Sequence, residues 1–193
     1  WPSMHLDSTA QIKLIFGGER MLDAITSATP LDALRTGLRA SGVDVSQIVS
    51  GNAFGAVGGK GWEWIVAGYL LGGLWLWQQR IITWHIPTAF IGGIAVIAGA
   101  FWLANGGHYA SPLVHLATGG TMLGAFFILT DPVSGATTPR GKLIFAVGAA
   151  LLTYLIRVFG AFPDGIAFAT LLMNLCVPLI DMQTQPPVFG HKK

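Results

Sequence analysis

The sequence predicts an all-α, polytopic helical membrane protein, and three observations carry that prediction. Of 193 residues, 52% are hydrophobic and only 10% charged, against roughly a quarter charged in soluble domains. The mean hydropathy is +0.60. From Trp62 onward five apolar runs follow one another, each near the ~20 residues a hydrocarbon core demands. A membrane-spanning strand would alternate in polarity, which these runs do not, and in lipid a helix satisfies its backbone within one segment.

Residues 1–60 are different in kind. They hold five Lys/Arg (Lys13, Arg20, Arg35, Arg39, Lys60) and five Asp/Glu (Asp7, Glu19, Asp23, Asp32, Asp44), and no stretch is long and apolar enough to cross a bilayer. They are expected to form an extramembrane segment. Within it, Leu31, Leu34 and Leu38 recur at helical spacing behind Pro30, which predicts a short amphipathic helix over 30–40 with the proline in its first turn. The glycine-rich run 51–59 then leads to the membrane.

The five predicted spans are Trp62–Gln78, Ile82–Ala104, Leu113–Thr130, Leu143–Phe159 and Gly165–Ile180. Glycines four apart, Gly68/Gly72 and Gly120/Gly124, predict close helix contacts. Tryptophans 62, 64, 75, 77, 84 and 102 lie near span ends and read as interface anchors. Positive charge falls in every second connection: Arg80, then Arg140 and Lys142, then Lys192 and Lys193. By the positive-inside rule those connections and the C-terminus are cytoplasmic, which puts residues 1–60 on the periplasmic face. Arg157 is the exception, expected either to snorkel to the interface or to pair with Asp164.

Several functions are excluded or left without residues. A net charge of +2 gives no surface for nucleic acid. The single cysteine, Cys176, rules out an internal disulfide and a self-contained thiolate-bound cluster. His85, His108 and His115 share no metal-ligand spacing and read as interfacial histidines, and Glu63 and Asp181 fall near span ends. No complete active site and no metal site is expected. The start at Trp1-Pro2 is expected of a processed product or a piece of a longer chain.

One motif carries chemistry. Asp23-Ala24-Ile25-Thr26-Ser27-Ala28-Thr29 resembles the recognition sequence for covalent flavinylation: an acid, two variable positions, Ser/Thr, a small residue, then Ala-Thr. The resemblance implies that Thr29 takes FMN from FAD through a phosphoester, catalysed by a separate Mg-dependent flavin transferase, with Asp23, Thr26, Ser27 and Ala28 as its recognition residues. A threonine hydroxyl needs such activation, being a weak nucleophile alone. The pattern recurs at Asp131-Pro132-Val133-Ser134-Gly135-Ala136-Thr137. The family's transferase works on the periplasmic side, so the charge pattern assigns FMN to Thr29. Asp131 and Ser134 are then expected to organise a turn.

Further segments extend the resemblance over essentially the whole chain. Thr130-Asp131-Pro132-Val133-Ser134, Thr138-Pro139-Arg140-Gly141-Lys142, Phe162-Pro163-Asp164-Gly165-Ile166-Ala167-Phe168-Ala169, Asn174 and Pro178-Leu179-Ile180-Asp181 resemble the C-terminal half of the RnfD family, membrane components of the Rnf electron-transport complex. NqrB, of the sodium-translocating NADH:quinone reductase, is its near relative. Two departures stand out: Gly135-Ala136-Thr137 replaces a Ser-Ala-Ser-type sequence, and the family's N-terminal spans are missing. The resemblance implies a membrane subunit of an ion-translocating redox complex in the bacterial inner membrane. Its electrons would arrive from the second flavin-bearing subunit of the complex, RnfG, and pass through the FMN on Thr29. Their flow would be coupled to Na⁺ or H⁺ movement, with room in the family for riboflavin. Two other classes compete: a transporter or channel, which requires a mid-helix polar residue or a Gly/Pro-broken helix lining a cavity, and a cofactor-free assembly subunit.

Overall fold

The computed structural model describes residues 29–39, 44–51, 54–55, 58–59 and 61–186. Its elements are helical: α1 (Pro30–Arg39), α2 (Val45–Val49), α3 (Trp62–Gln78), α4 (His85–Ala104), α5 (Pro112–Ala117), α6 (Thr121–Leu123) running into a π-helical turn (Gly124–Ile128), α7 (Pro139–Phe159) and α8 (Ile166–Thr184). Three of these, α4, α7 and α8, are long and apolar enough to cross a membrane. α3 is apolar over 17 residues, and the predicted third span is interrupted.

The bundle is built on close backbone approach. α4 sets Phe90 and Ile94 against Ala146, Ala149 and Ala150 of α7, all of them buried. A Cβ at Gly93 would come within 2.8 Å of the Ala150 methyl, and one at Gly148 within 2.6 Å of the Met173 methyl. Small residues let dispersion contacts form where lipid supplies no hydrophobic drive. Of the predicted glycine pairs, Gly120 and Gly124 pack on Ile166 of α8, whereas Gly68 meets no atom within 4 Å. The tightest contact on α3 is made by Gly73, where a Cβ would collide with the Phe126 ring. Gly73→Ala is therefore expected to lower stability by about 1–3 kcal/mol through overpacking. Phe126→Leu in the same chain should restore part of it, read as the thermal midpoint in detergent.

The third apolar run is not one helix. α5 ends at Ala117, Thr118 turns to extended backbone (φ −131°, ψ 159°) and Gly119 takes φ +63°, a left-handed conformation that glycine adopts without strain. The helix restarts at Thr121 and widens at once into the π turn, closed by Leu129 N–H to Gly124 C=O. At one end of the bundle α1 packs on α2 and α7; Leu31 is buried, and Leu34 joins a small cluster with Val45, Phe54, Ala110 and Val114. The leucine spacing that predicts an amphipathic helix over 30–40 corresponds to α1.

Candidate functional site

The bundle has two chemically different ends. At one end lie Thr29, the start of α3 (Trp62), the loop after α4 (His108, Tyr109), the start of α5, the last turn of α7 (Arg157) and the approach to α8 (Asp164). At the other lie Ile81 and Thr83 before α4, Thr130 and Asp131 after the π turn, Lys142 at the start of α7, and Asp181 at the end of α8. The two flavinylation-like motifs thus end at threonines on opposite ends of the bundle.

Thr29 caps α1. Its backbone C=O accepts from Ala33 N–H at 2.8 Å and its Oγ1 from Asp32 N–H at 3.3 Å, so the threonine that ends the motif also starts the helix. Its side chain is exposed at the rim of a cleft of about 700 Å³. The walls are mostly apolar, from Pro30, Leu31, Trp62, Ile65, Tyr69 and Leu123, with Gly119, Gly120 and the Asp164 carboxylate as the polar edge. The Trp62 Nε1 donor is buried and has no hydrogen-bond partner. Asp23, Thr26, Ser27 and Ala28 lie outside the described residues.

A buried ion pair closes the helix break beside this cleft. Arg157, 5% exposed, binds Asp164 Oδ1 through Nε (3.3 Å) and Nη2 (3.0 Å). Its Nη1 donates to the His115 carbonyl at 2.9 Å and its Nη2 to Thr121 Oγ1 at 3.0 Å. Asp164 Oδ2 in turn accepts Gly120 N–H at 2.7 Å. The carbonyl left over where α5 stops and the amide left over where α6 starts are therefore both satisfied, which burial away from water requires. Of the two roles expected for Arg157, pairing with Asp164 is the one observed; it does not snorkel. Gly119 is needed at this place, since a Cβ there would come within 2.5 Å of Leu31 and 2.8 Å of Asp164 Oδ2.

The opposite end is occupied by structural hydrogen bonds. Thr137 Oγ1 donates to Asp181 Oδ2 at 2.8 Å, and Thr137 N–H lies 3.1 Å from Oδ1 of the same carboxylate. Thr138 caps α7 by accepting Gly141 N–H at 2.9 Å. Asp131 accepts from both Ser134 Oγ (2.7 Å) and Ser134 N–H (3.1 Å), so these two residues organise the turn as expected. The Ser134 hydroxyl, then the Ser134 and Val133 amides, hold the Asp131 carboxyl below its ordinary range. A lowered folded value stabilises the fold above the unfolded aspartate value of ~3.9 and loses that effect as pH falls through the folded value. Ser134→Ala should move the Asp131 titration up toward the ordinary range, read by NMR of the labelled carboxyl.

Other sequence expectations meet mixed outcomes. His85 begins α4 and His108 is exposed in a loop, as expected of interfacial histidines. His115 differs in being buried: it is 3% exposed, packed edge-on to Tyr154. Asp181 lies near a span end as expected but is buried, because Thr137 covers it. Among the described residues no three His, Cys, Asp or Glu side chains converge. The tryptophans at 64, 75, 77, 84 and 102 are all exposed on the bundle surface near helix ends.

These features define a class: a multi-pass α-helical membrane protein with one glycine-broken helix, closed by a buried ion pair next to an apolar cleft. The chain belongs to the NQR2, RnfD, RnfE family, whose model it matches over residues 1–190. It is 52% identical over 170 residues to the D-type subunit of the ion-translocating oxidoreductase complex of Vibrio vulnificus (strain YJ016), covering 88% of this chain and 48% of that protein. The corresponding protein of Aliivibrio salmonicida is 50% identical over 172 residues, 89% of this chain and 49% of the relative. That of Shigella boydii serotype 18 is 49% identical over 192 residues, 99% of this chain and 53% of the relative. The chain spans about half the length of the curated relatives it matches.

Proposed function

We propose that this chain is the flavin-bearing part of a membrane subunit in an ion-translocating oxidoreductase complex, with FMN joined to Thr29 Oγ1 by a phosphoester. The observation that carries the reading is the placement of the two candidate threonines. Thr29 is exposed at the rim of a cleft able to seat an isoalloxazine ring, whereas the Thr137 hydroxyl is committed to Asp181. In the attachment step Thr29 oxygen replaces AMP on FAD. The new Oγ–P bond forms, the pyrophosphate bond breaks, AMP leaves and the hydroxyl proton passes to a base of the transferase.

The cleft fits the group. Trp62 Nε1 offers an unused donor and Asp164 an acceptor, between largely apolar walls. A phosphoester at Thr29 places negative charge at the start of a ten-residue helix, where the helix dipole favours it. Bound FMN supplies one- and two-electron redox chemistry; the protein holds it by the ester, packs its ring and sets the charge beside it through Asp164 and Arg157. The complex would pass electrons to this chain from its second flavin-bearing subunit, RnfG, and couple their flow to Na⁺ or H⁺. The Thr29 end would face the periplasm and the Thr137 end the cytoplasm, in a bacterial inner membrane.

One observation favours a second reading. The transporter class requires a glycine-broken helix lining a cavity, and Gly119 and Gly120 form one. Arg157 and Asp164 occupy the groups freed at that break, so an ion using it would have to displace them. The flavin reading is tested by co-expressing the chain with a flavin transferase and viewing the unstained denaturing gel under ultraviolet light. A fluorescent band supports the covalent flavin, and a dark band beside a labelled control substrate overturns it.

A further inference from the structure

A second, smaller cavity lies on the other side of Leu31 and Pro163, which it shares with the cleft. Its volume is about 160 Å³, and its polar lining is Arg35, His108, Tyr109, His115 and Arg157, with no acid among them. Arg157 is balanced by Asp164, whereas Arg35 forms no ion pair with any described residue, so among the described residues one positive charge in this wall is uncompensated. Two buried polar atoms here have no hydrogen-bond partner, Arg35 Nε and His115 Nδ1. Every Arg157 nitrogen has a partner, but one N–H of its Nη1 is left over. A guanidinium has five N–H donors, and four bonds are made, two to Asp164, one to His115 and one to Thr121.

Burying polar and charged groups without partners is costly, and a cavity with the Arg35 and Arg157 N–H donors in its wall is built for a ligand rich in acceptor oxygens and negative charge. Its height in the bundle narrows the choice. Arg157 lies in the last turn of α7, the level at which lipid headgroups meet a spanning helix. Leu34, Leu38 and Val158 complete the wall and suit a glycerol backbone. We propose that this cavity is a phosphate site filled by the headgroup of an anionic phospholipid, with Arg35 as its principal cation. Thr29 does not line it, so the inference stands independently of the flavin.

The test uses the full-length protein in detergent, stripped of lipid and titrated with phosphatidylglycerol, phosphatidylethanolamine or inorganic phosphate at constant ionic strength. Binding is read by native mass spectrometry and by the thermal midpoint. Wild type should bind phosphatidylglycerol saturably and in preference to phosphatidylethanolamine. Arg35→Gln should bind about tenfold more weakly, as losing one charge-assisted hydrogen bond implies. Arg80→Gln, at the opposite end, should bind like wild type. Equal binding by Arg35→Gln and wild type would overturn the site. Saturation by inorganic phosphate without phosphatidylglycerol would overturn the lipid assignment, and no response to either would overturn both.

Discussion

Thr29→Asn, in a chain co-expressed with a flavin transferase, is expected to migrate as a dark band where wild type fluoresces. Asparagine is chosen because Thr29 has two jobs. Its Oγ1 accepts Asp32 N–H at the start of α1, and losing that cap would cost about 1 kcal/mol. Asparagine caps equally well but has no hydroxyl to esterify, so helix and chemistry are separated. Thr29→Val removes both and should also be dark, with a slightly lower thermal midpoint. Thr137→Val should stay as bright as wild type. It instead loses the hydroxyl bond to Asp181 and should be less stable by about 1.5–3 kcal/mol, the usual worth of a hydrogen bond to a charged group. Fluorescence that survives in Thr29→Asn and vanishes in Thr137→Val would reverse the assignment.

The largest stability effect is expected at the helix break. Asp164→Asn keeps an acceptor for Gly120 N–H but leaves Arg157 as an uncompensated cation whose side chain is 2% exposed. Removing one partner of a buried pair in this way costs about 3–5 kcal/mol. Arg157→Leu should cost less, because Asp164 is one-third exposed and the His115 carbonyl still accepts from Thr121 Oγ1 at 2.7 Å. In the double variant the charge left by either single change is gone, so its loss should be smaller than the sum of the two. Thermal midpoints of all four proteins in one detergent give the cycle. Additive losses would mean that the pair does not hold the break together.

The fold is readable where local signals and burial agree. Trp62–Gln78 is bounded in the sequence as in the structure, because Gly61 precedes it and the polar Gln78-Gln79-Arg80 follows. α7 begins at Pro139 rather than Leu143. The signal that hydropathy passes over is Thr138-Pro139, a capping residue followed by a proline at the first helical position. α8 runs on to Thr184, beyond the apolar stretch that ends at Ile180, because Asp181 and Thr184 are held by Thr137 and Thr138 some 44 to 46 residues away. Hydropathy cannot register such partners.

The third span hides most. Its apolar residues read as a continuous helix, and Gly120 as half of a packing pair. Thr118-Gly119-Gly120 in fact breaks the helix, and Arg157 and Asp164 reach the break from 36 to 44 residues away to bind its freed groups. The sequence offers pairing with Asp164 as one of two fates for Arg157, yet nothing local shows that the pair is buried. At the candidate site Thr29 comes from a motif. The cleft behind it does not, since Trp62, Tyr69 and Leu123 converge only in three dimensions.

The most direct test is the mass of two tryptic peptides from chain co-expressed with a flavin transferase. Cleavage after Arg20 and Arg35 releases residues 21–35, with Thr26, Ser27 and Thr29, and cleavage after Arg80 and Arg140 releases residues 81–140, with Thr137. The 21–35 peptide should be heavier by one FMN less water, with fragment ions placing the addition on Thr29, and the 81–140 peptide should have its unmodified mass. An unmodified 21–35 peptide, or an FMN on 81–140, would contradict the account.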